Sequence, residues 1–371
     1  MEDLTLRHPA ELRLEDLEKR FGATAAVDRL NLLAEAGSLV ALLGPSGCGK
    51  TTTLRMIAGF ERPDHGRIVV ASRDITGLPP HRRALGMVFQ NYSLFPHKTV
   101  GENIAFGLRM SGMNRADRDE EVRRMLNLVQ LSGYADRYPS QLSGGQQQRI
   151  ALARSLVPNP RVLLLDEPLG ALDKGLRESM QFELRSMQQR FGITTVLVTH
   201  DQEEALSMSD RIAVMSKGRI LQIGSATEIY DRPATRFVAE FLGASNIFEG
   251  RPVDGEAGTQ IEIEGSNGSI ICIEAPIARS ADDRIVLSVR PERVLIGPAA
   301  EMLSNRLQAK VLSAAFRGTY AAYQLHVPAL GREIYAYRQA DGPLGALAFR
   351  AGDHLVAGWR TNDSVVVEED T

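Results

Sequence analysis

A short glycine-rich stretch near the start of the chain constrains the fold more than any other feature of the sequence. It follows the pattern G-x-x-x-x-G-K-[ST] and consists of Gly44, Pro45, Ser46, Gly47, Cys48, Gly49, Lys50, Thr51 and Thr52. The apolar run Leu39–Leu43 precedes it and predicts a buried strand. The segment after it predicts a helix that ends at Gly59. A strand, this loop and a helix in succession form the setting in which the pattern binds phosphate.

The residue types of the loop suit a nucleoside triphosphate with Mg²⁺. Glycines allow the backbone to wrap closely, so that successive N–H groups can point at phosphate oxygens. The start of the helix adds positive potential. Lys50 can reach the β- and γ-phosphates, and the hydroxyl of Thr51 can ligate Mg²⁺. The alternative is a glycine-rich turn that matches by chance, and the motifs that follow in the chain weaken it.

Length and composition predict a soluble protein of two domains. The chain has 371 residues, which exceeds one ordinary core, and 43% of them are hydrophobic against 24% charged. A formal net charge of −3 argues against a nucleic-acid partner, which usually requires a basic face. The two cysteines, Cys48 and Cys272, form no disulfide framework and fit a reducing compartment. No apolar run is long enough to span a membrane, so any membrane role requires a partner.

An aromatic residue lies ahead of the glycine-rich loop, after a segment, 12–20, that is typical of an edge strand. This residue, Phe21, can stack on an adenine ring, with Val27 packing beside it. The alternative is that Phe21 is an ordinary core residue. The presence of a phosphate-binding loop downstream favours the stacking role.

Three later strand ends carry polar residues that suit phosphate chemistry. One short apolar strand ends at Gln90, whose amide can bind Mg²⁺ and the attacking water, unless it is only a polar strand end. Another strand ends in Asp166 and Glu167. Asp166 can hold Mg²⁺ through its water shell and Glu167 can polarise a water for attack on the γ-phosphate, unless the pair merely caps the strand. A third strand ends at His200, where a neutral imidazole can contact the γ-phosphate and hold that water.

Residues 91–160 predict a helical insert between these strands. Polar and apolar residues are mixed at helical spacing over 100–110, 115–131 and 133–138. Near the end of the insert lies a second helix start that can bind an anion through free N–H groups, a hydroxyl and the helix dipole, at Ser143, Gly144 and Gly145. An ordinary helix N-cap is the alternative. Two such helix starts in one chain suggest that both face the same polyphosphate.

The C-terminal part of the chain changes to a period of two. Short helices around 227–230 and 235–242 close a first domain over 12–242, and residues 243–246 form a linker. Beyond the linker, apolar residues alternate with polar ones, and turn signals separate the runs. The pattern predicts a small barrel-like β domain over 243–371 that carries no catalytic motif.

Taken together, the motifs resemble those of an ABC-transporter ATPase. They occur in the order and spacing of that family over about residues 12–242: the phosphate loop, Gln90, Leu142-Ser143-Gly144-Gly145-Gln146, Asp166-Glu167, Asp173 and His200. Further segments resemble the importer ATPases of the sugar and polyamine group, namely 198–205, 208–211 and Arg290-Pro291-Glu292. Others lean towards spermidine/putrescine-type importers, namely 169–173, 180–181 and 191–194. Lys174-Gly175 departs from the pattern expected there.

The resemblance implies a fold and a set of site residues. The fold is α/β, a P-loop NTPase ABC-ATPase domain with a RecA-like core, an antiparallel β subdomain and a helical subdomain, followed by an OB-like regulatory domain of the TOBE type. The cofactors are ATP and Mg²⁺, and the activity is ATP hydrolysis. The catalytic residues are Glu167, His200 and Gln90, and the metal ligands are Thr51, Gln90 and Asp166. The nucleotide-binding residues are Phe21, Val27, Gly44, Pro45, Ser46, Gly47, Cys48, Gly49, Lys50, Thr51, Thr52, Ser143, Gly144, Gly145, Gln146 and Asp173.

The resemblance also implies partners and a location. Two copies form a head-to-tail dimer, in which each ATP lies between the Lys50 loop of one chain and the Ser143 helix of the other. Two integral membrane permease subunits and a periplasmic or surface solute-binding protein complete the importer, with docking expected at 95–97. The location is the cytoplasmic face of the bacterial inner membrane, peripherally bound, and nucleic acid is not a partner. The cargo implied is a polyamine, with sugars, glycerol phosphate and iron as alternatives.

Two other functional classes fit the sequence less well. A soluble ABC ATPase that acts on ribosomes or DNA is one, but such proteins usually carry two cassettes or a long coiled coil, and this chain has one cassette and no heptad run. An ordinary P-loop kinase is the other, and the motif at 142–146 speaks against it. A pull-down distinguishes these classes, since the importer would bring down membrane subunits.

Overall fold

The computed structural model of the protein describes residues 9–170, 172–253, 259–266, 268–274, 284–339 and 347–369, so that Ala171 of the segment 169–173 lies outside the described residues. Contacts divide the chain into two compact units, Met1–Ala226 and Thr227–Thr371. In the first unit the elements in chain order are β1 Leu12–Phe21, β2 Thr24–Ala34, β3 Leu39–Leu43, α1 Lys50–Ala58, β4 His65–Val70, β5 Arg73–Asp74, β6 Leu85–Val88, α2 Val100–Met110, α3 Arg115–Leu128, α4 Gly144–Leu156, β7 Val162–Asp166, α5 Lys174–Phe191, β8 Thr194–Thr199, α6 Gln202–Met208, β9 Arg211–Ser216 and β10 Arg219–Gly224.

A six-stranded sheet forms the centre of the first unit, with strand order β10-β9-β3-β8-β7-β6. The strands from β9 to β6 run parallel, and β10 pairs antiparallel with β9. Every residue of β3 and of β8 is buried, which explains why β3 is a continuous apolar run rather than an alternating one. Because parallel strands end at the same edge, the segments that follow β3, β6, β7 and β8 meet there.

The helix predicted after the glycine-rich loop is confirmed. Helix α1 begins at Lys50, directly after the loop, and Gly59 ends it in the left-handed conformation with φ 85°. At this position glycine avoids the steric penalty that a side chain would incur. The loop therefore connects β3 to α1 without any intervening segment other than the motif itself.

A second, antiparallel sheet has the order β2-β1-β4-β5. Strand β1 lies between β2 and β4, so the expectation of an edge strand over 12–20 is wrong. The register of β1 shifts between Leu14 and Leu17, and Asp16 there has φ 46°. Such a bulge breaks the period of two, and the sequence pattern of an internal strand is lost with it.

The helical part of the first unit contains α2, α3 and α4. Helix α2 coincides with the predicted 100–110 and packs on both α3 and α4. Residues 133–138 form turns, not the predicted helix. The carbonyl groups of Ala135 and Arg137 instead accept hydrogen bonds from Gly101 N and Val100 N, at 2.8 and 2.7 Å. This segment therefore caps the start of α2, where helical N–H groups lack partners.

The second unit is built mainly of antiparallel sheets, as predicted. Its orders are β13-β12-β11-β14-β20 and β15-β19-β16-β17-β18, and its core stacks Phe248 on Trp359 with ring centres 5.5 Å apart. Its elements are α7 Ala226–Asp231, α8 Arg236–Phe241, β11 Asn246–Val253, β12 Thr259–Ile263, β13 Ile270–Ile273, β14 Ile285–Val289, β15 Leu295–Ile296, β16 Asn305–Phe316, β17 Tyr320–Val327, β18 Arg332–Gln339, β19 His354–Trp359 and β20 Val365–Val367.

The two short helices α7 and α8 belong by their contacts to the second unit. The buried guanidinium of Arg290 donates hydrogen bonds to the carbonyl oxygens of Tyr230 and Ala239, at 3.1 and 2.7 Å. The boundary between the two compact units thus lies near the start of α7. The predicted functional domains, 12–242 and 243–371, stay a prediction. Among the described helices, none is long and apolar enough to cross a bilayer.

Candidate nucleotide-binding site

The segments that carry the predicted site residues leave the large sheet at one edge. Leu43 at the end of β3 pairs with Thr199 at the end of β8, and Asp166 of β7 pairs with Val198 of β8. The phosphate loop, His200 and Glu167 therefore follow three adjacent strands. Gln90 follows the fourth, β6, which pairs with β7. The carboxyl ends of parallel strands are where α/β proteins bind ligands, so the topology brings the predicted residues together.

The phosphate loop is held in shape by its own lysine. Lys50 is only 5% exposed, and its Nζ donates hydrogen bonds to the carbonyl oxygens of Gly44 and Pro45, at 2.7 and 2.9 Å. Gly49 has φ 107°, and a Cβ there would lie 2.3 Å from the carbonyl oxygen of Ala26. No other residue type fits this position. The geometry is that of a closed backbone loop with a lysine ammonium at its centre.

Asp166 carries a carboxylate that suits a cation. Burial, and secondly the neighbouring charge of Glu167, raises the pKa of Asp166 above its usual value. Its carboxylate accepts no hydrogen bond from any part of the chain that the structure describes, while Thr51 presents an exposed hydroxyl at the start of α1. An unpaired, half-buried carboxylate is stabilised by a cation. Among the described residues, no three acidic, histidine or cysteine side chains cluster as a metal site.

Glu167 is held between two of the other predicted residues. Gln90 Nε2 donates to Glu167 Oε2 at 3.1 Å, and Nδ1 of His200 lies 3.1 Å from Glu167 Oε1. With an ionised carboxylate, the histidine ring donates that second hydrogen bond. The ring itself is 59% exposed. The arrangement fixes both oxygens of one carboxylate and leaves the surrounding surface open to a substrate.

The backbone of Glu167 adopts a conformation that side chains disfavour. Its φ is 45°, and its N–H donates to the carbonyl oxygen of Val198 at 2.9 Å. A non-glycine residue in this region carries strain of about 1–3 kcal/mol, which persists where the surroundings fix it. The turn after β7 therefore aims this carboxylate at Gln90 and His200 instead of letting it continue along the strand.

The second predicted anion site begins helix α4. Ser143 caps the helix, and its side chain accepts a hydrogen bond from Gln146 N while the Gln146 side chain accepts from Ser143 N. A Cβ on Gly144 would lie 3.1 Å from Leu172, a tight contact that favours glycine there, whereas one on Gly145 would lie 3.4 Å from Met180. The helix start therefore has the geometry of an ordinary N-cap, and its binding of phosphate stays a prediction.

The remaining predicted residues are placed differently from one another. Phe21 is 52% exposed, so the alternative of an ordinary core residue is wrong, and Lys19 Nζ lies 5.4 Å from its ring centre. Val27 is fully buried under the loop and offers no exposed surface beside Phe21. Asp173 caps helix α5 by accepting from Leu176 N at 3.0 Å. Roles of these three in nucleotide binding stay predictions.

Comparison with known proteins decides the family. A family model described as ABC transporter matches residues 27–170, and one described as TOBE domain matches residues 287–367. The spermidine/putrescine import ATP-binding protein PotA of Rubrobacter xylanophilus is 47% identical over 361 residues, which are 97% of this chain and 94% of that protein. The chain belongs to the ABC-transporter ATPase family.

Further relatives agree with this ABC assignment. The protein of the same name from Roseobacter denitrificans is 47% identical over 345 residues, 93% of this chain and 94% of that protein. Among solved structures, a dimeric post-hydrolysis state of an ATP-binding cassette with ADP and Pi is 30% identical and has a TM-score of 0.51. It covers 58% of this chain and 98% of that chain. The predicted ABC-ATPase fold with a C-terminal OB-like β domain is thereby confirmed.

Some residues of the ABC cassette that support the site escape sequence analysis. Arg177 of α5 donates to Asp201 at 3.1 Å and to the carbonyl oxygen of Leu172 at 3.1 Å. Arg177 thus joins the segment before Asp173 to the turn after His200. Nothing in the spacing of these residues signals the contact, because one partner is a backbone carbonyl.

Alkylation of Cys48 is expected to block nucleotide binding to the ABC cassette, and to do so faster at high pH. The thiol is buried in the loop, with Lys50 Nζ 3.8 Å from its sulfur. Burial raises the pKa of Cys48, so the reactive thiolate is scarce at neutral pH and increases as the pH rises towards that value. The rate of maleimide labelling, measured by mass spectrometry in a Cys272→Ser background, should therefore climb with pH and fall with bound ATP. A rate that is flat between neutral and alkaline pH would contradict the buried thiol.

Proposed function

We propose that this protein is the ATP-hydrolysing subunit of an importer for polyamines of the spermidine/putrescine type. The observation that carries the ATPase role is the carboxylate of Glu167, held by Gln90 and His200 at the sheet edge that also bears the phosphate loop. The cargo is supported by relatives named spermidine/putrescine import ATP-binding protein, which match almost the whole chain. The location proposed is the cytoplasmic face of the cell membrane.

The chemistry follows from the groups at the edge of the sheet. Lys50 exchanges its carbonyl partners for the β- and γ-phosphates, and the loop N–H groups hold the same phosphates. Thr51, Gln90 and Asp166 are the residues that would hold Mg²⁺, which neutralises charge on the phosphates when bound. Glu167 takes the proton of the attacking water, and His200 orients that water against the γ-phosphate.

A head-to-tail dimer completes the proposed site. The start of α4 at Ser143 would close on the γ-phosphate bound by the Lys50 loop of the other copy, as a helix N-terminus favours an anion. Hydrolysis removes the phosphate that both copies contact, so the clamp opens afterwards. Two membrane permease subunits would convert this opening and closing into transport, with a solute-binding protein supplying the cargo.

The test is uptake in a strain from which the gene has been deleted. Uptake of labelled putrescine and spermidine is expected to fall, to return with the wild-type gene and not to return with Glu167→Gln. Maltose, glycerol phosphate and iron serve as comparison solutes. Unchanged polyamine uptake together with loss of one of these would overturn the polyamine proposal and name the cargo instead.

A further inference from the structure

We infer that Arg154 of α4 is a positioning residue for Gln90. It holds the segment that follows Gln90 against the helix that begins at Ser143. This inference deepens the proposed function and rests on it, because it assumes that Gln90 and that helix act in ATP hydrolysis.

The contacts of Arg154 converge on one short segment. Its Nη1 donates to the carbonyl oxygen of Ser93 at 2.7 Å, and its Nη2 donates to the carbonyl oxygen of Tyr92 at 2.9 Å. The guanidinium carbon also lies 5.5 Å from the ring centre of Phe95. A planar guanidinium presents its donors in a fixed fork, so it can fix two successive carbonyls where a lysine could reach only one point.

The segment that Arg154 holds is strained. Tyr92 and Ser93 have φ values of 56° and 49°, both in the left-handed region that glycine favours. Consecutive non-glycine residues persist there only when the surrounding structure fixes them. The two carbonyls that Arg154 binds belong to these same two residues. Without Arg154, we expect the segment to relax and the side chain of Gln90, two residues before Tyr92, to lose its position.

The far end of the segment is anchored separately. Asn103 of α2 is fully buried; its Oδ1 accepts from Phe95 N at 2.8 Å and its Nδ2 donates to Phe95 O at 3.2 Å. The ring of Phe95 lies 4.7 Å from that of Phe106. While α2 fixes the end at Phe95, Arg154 binds the two carbonyls at the end nearer Gln90.

Helix α4 connects the contact at Arg154 to the helix start at Ser143. Arg154 lies near the end of the helix and Ser143 caps its start, about three turns away. A helix of this length moves as one body. Gln90 Nε2 lies 3.1 Å from Glu167 Oε2. If Gln90 shifts relative to Glu167, the start of α4, which the proposed dimer presents to the other copy, therefore shifts with it.

A double-mutant cycle on the full chain tests the inference. Phosphate release from MgATP is measured for the wild type, Arg154→Met, Gln90→Ala and the double variant. Each single change is expected to lower kcat about tenfold to a hundredfold, the scale of a misplaced catalytic group. KM should stay within about threefold, since the phosphate loop is untouched. Because Arg154 acts through Gln90, the double variant should be no slower than Gln90→Ala alone.

Arg149→Met provides the matched control. Arg149 lies on the same helix, partly buried, but pairs with Glu183 of α5 at 2.6 Å and not with the segment after Gln90. Its loss should lower the melting temperature, leave kcat within about threefold, and combine multiplicatively with Gln90→Ala. Arg154→Lys keeps the charge and is expected to retain part of the activity, which secures the test if Arg154→Met does not fold.

The outcomes separate the two proposals. If the losses from Arg154→Met or Arg154→Lys multiply with that of Gln90→Ala, or do not exceed that of Arg149→Met, Arg154 is only structural and the inference fails. If the wild-type chain releases no phosphate from MgATP, alone or with its membrane subunits, the proposed function fails instead.

Discussion

Replacing Glu167 with glutamine is expected to slow ATP hydrolysis by a factor of about 10² or more while leaving ATP bound. The amide keeps the shape of the side chain and can still contact Gln90 and His200, but it cannot accept a proton from water. Steady-state phosphate release reports the loss of kcat, and equilibrium binding of a fluorescent ATP analogue reports the retained affinity. With saturating MgATP the variant should accumulate as a dimer, because the γ-phosphate stays in place.

Glu183→Gln is the control for this experiment. The side chains of Glu183 and Glu167 are 22% and 21% exposed, and both accept hydrogen bonds, but Glu183 pairs with Arg149 away from the sheet edge. Its replacement should change kcat little. An equal loss of ATP affinity in Glu167→Gln would contradict the role of proton acceptor. A strictly monomeric Glu167→Gln, even beside its membrane subunits, would contradict the dimer.

Replacing Lys50 with alanine is expected to remove ATP binding and hydrolysis together. A charge-assisted hydrogen bond contributes about 1.5–3 kcal/mol, so loss of the ammonium lowers ATP affinity by roughly tenfold or more for each phosphate contact. Without nucleotide, the carbonyl oxygens of Gly44 and Pro45 also lose their donor. The free energy of unfolding should therefore fall by about 1–3 kcal/mol. Isothermal titration with MgATP and a urea melt measure the two effects.

Lys310→Ala serves as the comparison, since that lysine is exposed on β16 of the second unit. It should match the wild type in both measurements. If Lys50→Ala kept its ATP affinity and lost only kcat, the lysine would act on the transition state and not on binding.

Much of the fold can be predicted from the sequence because the central strands are buried on both faces. The apolar residues of Leu39–Leu43 and Val162–Asp166 predict strands, and the glycine-rich loop after the first and Asp166 at the end of the second mark the site. Strand β1 is misjudged because its bulge at Asp16 disrupts the alternation. Residues 133–138 are misjudged because helical spacing cannot reveal that their carbonyls cap α2.

Supporting contacts of the site are harder to predict for a physical reason. Arg154 binds the carbonyl oxygens of Tyr92 and Ser93, which any residue type would offer, so the sequence contains no complementary partner to recognise. The left-handed backbone of Glu167 cannot be predicted from the sequence either, because glutamate has no preference for that conformation. Site residues can be recognised in the sequence by their chemistry. The residues that orient them can be identified only from contacts in the folded chain.

The lysine at the centre of the loop has a kinetic consequence. Its ammonium already has partners in the carbonyls of Gly44 and Pro45, so the roughly 2 kcal/mol of rotamer entropy in a lysine side chain is lost during folding and not when ligand arrives. Nucleotide entry then swaps one pair of acceptors for another inside a rigid receptor. We therefore expect the rate of nucleotide association to be limited by diffusion and electrostatic steering. Stopped-flow traces of binding should show no slow phase from ordering of the loop.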